Sequence, residues 1–307
     1  MGPLLLVLTT FIWGTAFLAQ KTGADAIGPF GITAYRNVLG GLFLLLCIGV
    51  RTVWRRQRGL VVTTEFSTLR SVLAGVACGV PLFVAMLSQQ VGIQYTTPGV
   101  SAFLTTNYVL FVPVLVALIS RRLPARKIWF CAAMAVAGTY FICLGGVGDG
   151  SRWFSVGKGE AWTILCAWLF AVQVMAVDRF ASRSDLLVMS AAQLFTAAFL
   201  SFPFLAFSSE QAYLHGFLPA AEAWGPIVYC GVLSSGVAYT LQNFGQARTP
   251  ATLAAVLMSL EAVFGALAGF VVRGDVLSTA QFAGCALVFA AVIISQIDFS
   301  PLKERRV

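Results

Sequence analysis

Ten apolar stretches follow one another along the 307-residue chain, and they constrain its fold more than any other feature. A helix needs roughly 20 apolar residues to cross the hydrocarbon core of a bilayer, and each stretch has about that length. Hydrophobic residues make up 59% of the sequence and charged residues 10%, too few charges to cover a water-soluble globule. We therefore predict an all-α membrane protein with ten transmembrane helices. The stretches are 2–20, 30–50, 69–91, 98–119, 126–145, 157–177, 186–207, 223–245, 250–272 and 278–296.

The basic residues predict on which side of the membrane each loop lies. With the N-terminus inside, fifteen of the 20 Lys and Arg residues fall on the inner side and four on the outer side. This imbalance predicts that both termini are cytoplasmic, in the plasma membrane (the bacterial inner membrane). It also accounts for the net charge of +8, so we expect no nucleic-acid partner. The fifteen are Arg51, Arg55, Arg56, Arg58, Arg70, Arg121, Arg122, Arg126, Lys127, Arg179, Arg183, Arg248, Lys303, Arg305 and Arg306; the four are Lys21, Arg152, Lys158 and Arg273.

The second half of the sequence repeats features of the first half. A shift of 152 residues superimposes several residues without a gap. Because each half has five predicted helices, the second half enters the membrane upside down relative to the first. We therefore predict two inverted five-helix repeats, a plan common in alternating-access transporters. The matching pairs are Thr97-Pro98 and Thr249-Pro250, Ala102 and Ala254, Phe130 and Phe282, and, with a slip of one residue, Gln89-Gln90 and Gln242-Asn243.

Short motifs in a fixed order carry a resemblance to a known family. They are Phe11-Ile12-Trp13-Gly14-Thr15-Ala16-Phe17, Tyr35-Arg36-Asn37, Ser259-Leu260-Glu261-Ala262-Val263-Phe264, Arg273-Gly274-Asp275 and Gln281-Phe282-Ala283-Gly284. In this order the chain resembles the ten-helix members of the drug/metabolite transporter superfamily that are built from two EamA domains. Asp275 departs from the usual Glu of that pattern. The resemblance implies repeats at 4–145 and 157–296, a cytoplasmic tail at 297–307, and transport of a small solute, most often export of metabolites, amino acids or toxic compounds.

Two charged residues lie well inside predicted helices, away from the helix ends. Glu261 lies about eleven residues into the ninth helix, and Arg36 lies in the outer third of the second. An ionised group at bilayer depth costs at least ~2.5 kcal/mol, so it usually faces a cavity, finds a partner or takes up a proton. Glu261 is therefore a candidate for coupling or solute contact, or else a structural carboxyl. Arg36 either extends to the outer interface or contacts an anionic group of the solute.

Uncharged residues extend the candidate site. Trp13 and Tyr239 lie on helix faces that carry further polar residues, and Asn107, Tyr108 and Ser259 are placed to form hydrogen bonds near the membrane midplane. A cavity lined in this way favours neutral, zwitterionic or aromatic solutes over polyanions. The alternative for each residue is a hydrogen bond between helices.

Amide residues at the ends of two repeat-related helices are candidate gates. Gln89 and Gln90 lie near the outer end of the third helix, and Gln242 and Asn243 lie near the inner end of the eighth. Related amides at opposite ends of related helices would serve the two gates of an alternating-access cycle.

The sequence offers little for metal or cofactor chemistry. All seven cysteines fall in apolar segments without a CxxC spacing, and the single histidine, His215, lies in a loop. We expect no metal, no cofactor and no enzymatic activity; the partners expected are a small solute, the lipid bilayer and, as a candidate coupling ion, the proton. The alternative function is a membrane-embedded enzyme acting on a lipid-linked substrate.

Overall fold

The computed structural model of the protein describes residues 1–59, 66–144, 157–210, 221–274 and 276–297. Some residues named above fall outside this description: Arg152, His215, Asp275, Lys303, Arg305 and Arg306, the tail beyond Ile297, and the side chain of Arg273.

The described residues are almost entirely helical, which confirms the all-α prediction. Seven helices among them are long and apolar enough to cross a membrane. The helices are α1 (Gly2–Gln57), α2 (Thr68–Tyr95), α3 (Pro98–Thr106), α4 (Tyr108–Ser120), α5 (Arg126–Leu144), α6 (Lys158–Phe180), α7 (Leu186–Ala206), α8 (Ala221–Val228), α9 (Ala238–Gln246), α10 (Ala251–Met258), α11 (Leu260–Ala268) and α12 (Thr279–Gln296). A 3₁₀ turn, Ala181–Arg183, follows α6, and π-helical segments at Tyr229–Val237 and Gly269–Arg273 follow α8 and α11.

The long helix α1 consists of two helical parts that meet at Gly28. A straight helix of its 56 residues would be about 84 Å long, roughly twice the thickness of a bilayer. Gly28 interrupts it with φ 76° and ψ 167°, a conformation that is essentially restricted to glycine. Pro29 follows and starts the second part, since its missing N–H and fixed φ suit a first helical position.

A glutamate after α7 caps the start of this second part. Glu210 Oε2 accepts a hydrogen bond of 2.7 Å from the backbone N–H of Gly31, one of the donors that a helix start leaves without a partner. Burial raises the pKa of the Glu210 carboxyl above its usual value of 4.5, and hydrogen bonds from the backbone of Gly31 and Phe30 offset part of the rise.

Two further helical breaks occupy corresponding positions in the two halves of the chain. Asn107 separates α3 from α4, and Ser259 separates α10 from α11. Their backbone angles nearly coincide, with φ −62° and ψ −8° at Asn107 and φ −63° and ψ −15° at Ser259. The two breaks are 152 residues apart, the shift found in the sequence.

The two halves of the chain pack against each other along most of their helices. Helix α2 packs against α6 and α7, α5 packs against α12, and α1 contacts α7, α11 and the π-helical segment before α9. In the last part of α1, Arg51 forms an ion pair of 2.9 Å with Asp185, which also accepts hydrogen bonds from the backbone at the start of α7.

Glycines allow the closest of these helix contacts. A Cβ atom on Gly138 of α5 would lie 2.7 Å from the carbonyl oxygen of Gly284 in α12, and one on Gly14 of α1 would lie 2.5 Å from the carbonyl oxygen of Glu261. Such close approach between helices is a common use of small residues in membranes, where packing replaces the hydrophobic effect as the driving force.

Candidate functional site

A small buried cavity of about 30 Å³ lies at the centre of the molecule, between helices of both halves. Six of the residues selected from the sequence line it: Trp13, Arg36, Gln89, Tyr108, Tyr239 and Glu261. The other five, Asn107, Ser259, Gln90, Gln242 and Asn243, lie outside its lining. The structure thus brings the two intrahelical charges to one place.

Arg36 turns its guanidinium inward and is only 2% exposed. Its Nε donates to Ser235 Oγ at 3.0 Å, its Nη1 to Gln20 Oε1 at 3.0 Å, and its Nη2 to Ser234 Oγ at 2.9 Å. Extension to the outer interface, one of the two alternatives for Arg36, is therefore wrong, because three buried side chains hold the group in the core.

Glu261 lies in the first turn of α11, directly after the break at Ser259. It is 4% exposed, and its Oε1 accepts a hydrogen bond of 3.2 Å from Thr106 Oγ1. Its position is electrostatically favourable, since the amide dipoles at a helix start attract negative charge. The buried hydroxyl of Tyr108 lies near this carboxyl group and has no partner at hydrogen-bond geometry.

Arg36 and Glu261 do not neutralise each other by direct contact. Within the part of the chain that the structure describes, the ion pairs are Lys21–Asp25 and Arg51–Asp185. The Tyr239 hydroxyl lies within electrostatic reach of both Arg36 and Glu261. The cavity therefore lies between a buried guanidinium and a buried carboxyl group that form no ion pair with each other.

Aromatic side chains enclose the cavity between these charges. The rings of Trp13 and Tyr239 are 4.9 Å apart between centroids, and Trp13 Nε1 donates to the carbonyl oxygen of Ser234 at 3.1 Å. Because the indole and Ser234 are fixed to each other, Trp13 forms a wall of the cavity with a defined orientation.

Asn107 and Ser259 form hydrogen bonds inside their own helices. Asn107 Nδ2 donates to the carbonyl oxygens of Phe103 and Leu104, and Ser259 Oγ donates to that of Val256. These bonds satisfy backbone groups near the breaks, where the regular helical pattern is interrupted.

The amides of α2 lie beside the central cavity. Gln89 Nε2 donates to Thr105 Oγ1 at 3.3 Å, and Gln90 Nε2 donates to Gln20 Oε1 at 2.7 Å. Gln20 therefore connects Gln90 with Arg36.

The amides of α9 belong to a second polar cluster, toward the predicted inner side. Gln242 Nε2 donates to Gln173 Oε1 at 3.1 Å, and Gln173 Nε2 returns a bond of 3.3 Å. Asn243 Nδ2 donates to Ser190 Oγ at 2.8 Å and to Gln193 Oε1 at 3.2 Å. This cluster joins α9 to α6 and α7.

A larger cavity, of about 650 Å³, lies on the predicted outer side. It shares Phe17 and Glu261 with the central cavity, so the two spaces adjoin at these two residues. Most of its wall is apolar and includes Leu18, Ile142, Cys143, Ala262, Ala266 and Leu277.

The structure adds residues that the sequence analysis did not select. Gln20, Thr105, Phe170 and Ser234 also line the central cavity. An amide within an apolar stretch is a usable signal, and it applies to Gln20. Threonine and serine within helices offer no such signal, since their hydroxyls can bond to the preceding turn in any environment.

The described residues contain no group of three or more His, Cys, Asp or Glu side chains placed to hold a metal ion. The side chains that line the central cavity offer hydrogen bonding, electrostatic attraction and aromatic contact.

Membrane-length helices that enclose a polar cavity with buried charges are typical of membrane transport proteins. The sequence profile of the EamA-like transporter family matches residues 1–144 and 157–296, so the chain belongs to this family. The resemblance found in the sequence motifs is confirmed, and so is the class of membrane transporters.

Relatives match the chain over nearly its full length. An uncharacterized transporter of Archaeoglobus fulgidus is 25% identical, covering 94% of this chain and 83% of that protein. The threonine/homoserine exporter RhtA of Escherichia coli is 27% identical, covering 98% of this chain and 94% of that protein. A solved crystal structure that is 21% identical superimposes with a TM-score of 0.74 over 96% of both chains, which shows the same fold.

Proposed function

We propose that the protein is a secondary transporter that moves a small neutral or zwitterionic solute across the membrane by alternating access. The observation that carries this proposal is the central cavity, where Arg36 and Glu261 are buried between the two halves without a partner of opposite charge. A buried charge without a counter-ion is costly, so such residues in a membrane usually serve a solute or ion pathway.

The proposed architecture is ten transmembrane helices in two inverted repeats, at 4–145 and 157–296, with a tail at 297–307. Seven long helices supply seven spans, the break at Gly28 divides α1 into two, and α5 and the run 221–246 supply the others. Internal symmetry supports the repeats. The bonded amide pairs Gln20–Gln90 and Gln173–Gln242 correspond at shifts of 153 and 152 residues, as do the breaks in the fourth and ninth spans.

The proposed gates are Gln89 and Gln90 toward the outside and Gln242 and Asn243 toward the inside. The inner pair lies within the hydrogen-bonded cluster that joins α9 to α6 and α7. The outer side holds the 650 Å³ cavity. This arrangement is that of a transporter open toward the outside and closed toward the inside, and the inner cluster must part for the opposite state.

Export is the proposed direction, from the cytoplasm across the bacterial inner membrane, with amino acids as candidate solutes. Support comes from the relative RhtA, which is named a threonine/homoserine exporter. Membership of a transporter family also implies that the protein is not an enzyme. Asn107 and Ser259, which interrupt the spans that carry Tyr108 and Glu261, are proposed to position those residues at the cavity.

The test is counterflow in proteoliposomes. Vesicles that contain the purified protein and unlabelled L-threonine or L-leucine are expected to accumulate the labelled amino acid transiently and saturably, and protein-free vesicles are not. Saturable exchange of no metabolite or dye in a broad panel would overturn the transport proposal, because a structural protein or an enzyme has no such exchange.

Glu261 is the candidate for proton coupling. If it carries the coupling proton, exchange by the wild type changes between pH 5.5 and 8.5, and Glu261→Gln removes that change because an amide does not titrate. Transport by Glu261→Gln with an unaltered rate and pH dependence would eliminate this role.

A further inference from the structure

We infer that the central cavity recognises the two charged groups of an α-amino acid separately, with the carboxylate at Arg36 and the ammonium at Glu261, and takes an apolar side chain into the outer cavity. This inference rests on the proposed transport function and names the substrate class of the same site. It follows from the unused hydrogen-bonding groups at each end of the cavity and from the apolar space beside it.

Arg36 has the donors that a carboxylate needs. A guanidinium carries five N–H groups, and three of them go to Ser235, Gln20 and Ser234. In the described part of the chain the other two, one on each terminal nitrogen, have no acceptor. Two parallel N–H groups on Nη1 and Nη2 match the two oxygens of a carboxylate. The neutral partners hold the guanidinium in place without cancelling its charge.

Glu261 has the acceptors that an ammonium needs. Its Oε1 accepts one hydrogen bond from Thr106, which leaves further acceptor capacity on the two carboxyl oxygens. Tyr108 beside it is 4% exposed, and its hydroxyl has no partner at hydrogen-bond geometry. An ammonium has three N–H donors, so it can bond to Oε2 and to the Tyr108 oxygen together.

The side chain of a bound amino acid would extend into the outer cavity, whose wall is mostly apolar. Glu261 and Phe17 line both the central and the outer cavity, so the carbon next to a bound ammonium lies at the junction of the two. Beyond it stand Ile142, Cys143 and Ala262. A branched or unbranched apolar side chain gains from burial there, whereas a hydroxyl group would lose its water partners.

The central cavity itself is too small for an amino acid. Its volume of about 30 Å³ holds one or two water molecules. A bound head group therefore requires side chains at the junction of the two cavities, which Phe17 lines on both sides, to move aside and merge them. Binding would then couple recognition of both charges to a rearrangement at the outer side.

The experiment measures inhibition of leucine counterflow by matched analogues. The probes are L-leucine, isopentylamine, which lacks the carboxylate, and 4-methylpentanoate, which lacks the ammonium. In the wild type we expect leucine to bind roughly 30-fold more tightly than either analogue, because each buried charge contact contributes about that factor. L-Threonine is expected to bind about tenfold more weakly than leucine.

Variants assign each charge to its residue. The affinity of the Arg36→Gln variant for leucine is expected to fall to its affinity for isopentylamine. Its affinity for isopentylamine should stay at the wild-type value, which shows that the site is intact. The affinity of the Glu261→Gln variant for leucine is expected to fall to its affinity for 4-methylpentanoate. The Arg36→Lys variant keeps the positive charge but loses the planar guanidinium with its paired N–H donors. Its affinity for leucine is expected to lie between those of the wild type and Arg36→Gln. Arg56→Gln, at an exposed arginine near the end of α1, is the matched control and keeps the wild-type pattern.

The outcomes separate this inference from the proposed function. Exchange of an amine, a carboxylate or an uncharged solute without exchange of leucine would leave a transporter and overturn the two-charge site. Equal affinity of the wild type for leucine and for both analogues would do the same. A threonine affinity equal to that of leucine would overturn the apolar side-chain site alone. Exchange of nothing in the panel would overturn the inference together with transport itself.

Discussion

At the residue scale, the free energy of burying charge explains which side chains surround Arg36 and Glu261. An uncompensated charge in the membrane interior costs several kcal/mol, and hydrogen bonds from neutral groups recover part of that cost. Gln20, Ser234 and Ser235 do so for Arg36, and Thr106 does so for Glu261. The remaining cost is what a charged solute can relieve.

Glu210 illustrates the same balance outside the membrane-spanning segments. Since burial raises its pKa in the folded protein, the folded state binds a proton more tightly than the unfolded state. Its contribution to stability is therefore fully present below the usual pKa of 4.5 and is lost as the pH rises through the raised value.

We predict that Glu210→Gln changes the pH dependence of stability. The amide keeps a side-chain oxygen for the Gly31 N–H but does not titrate. The difference in melting temperature, wild type minus variant, should be larger at pH 4 than at pH 7 in thermal unfolding of the detergent-solubilised protein. A difference that is constant across this range, or larger at pH 7, would contradict the raised pKa.

At the element scale, interruptions in the helices matter as much as the helices. Gly28 turns the chain between the two parts of α1, and Asn107 and Ser259 interrupt the spans that contribute Tyr108 and Glu261. Breaks in membrane helices are tolerated where other groups satisfy the freed backbone, as Glu210 does at Gly31.

We predict that Gly28→Ala is destabilising. A Cβ atom at this position would lie 2.1 Å from the carboxyl carbon of Glu210, and the φ of 76° is strained for alanine. A cost of about 2 kcal/mol should lower the melting temperature by roughly 4–8 °C. Gly49→Ala is the control, because nothing lies near its Cβ position within 4 Å. Equal melting temperatures for the two variants would show that the break tolerates a side chain.

At the scale of the whole molecule, the packing of one half against the other places the site. Helix α2 of the first half packs against α6 and α7 of the second, and the inner cluster joins α9 to the same two helices. Each amide hydrogen bond has a net value of about 1 kcal/mol, because water replaces it when it breaks. The cluster around Gln242 and Asn243 is thus held together by contacts that water can replace, as the proposed opening of an inner gate requires.

We predict that both ends of the chain lie in the cytoplasm. The excess of Lys and Arg in the proposed inner loops sets this orientation. A C-terminal fluorescent-protein fusion should fluoresce in a bacterial host, and an alkaline phosphatase fusion at the same end should be inactive. An active phosphatase would place that end outside and contradict the predicted orientation.

Much of the fold was predictable from local sequence. The apolar stretches predicted where helices lie, and the shift of 152 residues found in the sequence also relates Asn107 to Ser259, where the structure shows breaks of the same geometry. Part of the site was predictable as well, since a charge such as Glu261 in an apolar stretch stands out against its neighbours. The hydrogen-bond partners of Arg36 were not predictable, because Ser234 and Ser235 are ordinary residues within helices.

The sequence by itself determined that this is an α-helical membrane protein, the family to which it belongs and the residues that carry charge into its interior. These properties follow from the free energy of transferring each apolar stretch from water into the membrane and from the order of short motifs along the chain. Only the tertiary structure decided that Arg36 and Glu261 line one cavity and that Gln242 belongs to the cluster of α9 amides. It also decided that the Asn107 side chain forms its hydrogen bonds with the preceding helical turn. These contacts depend on how each helix is rotated about its axis and crosses its neighbours, and packing between distant segments sets that rotation.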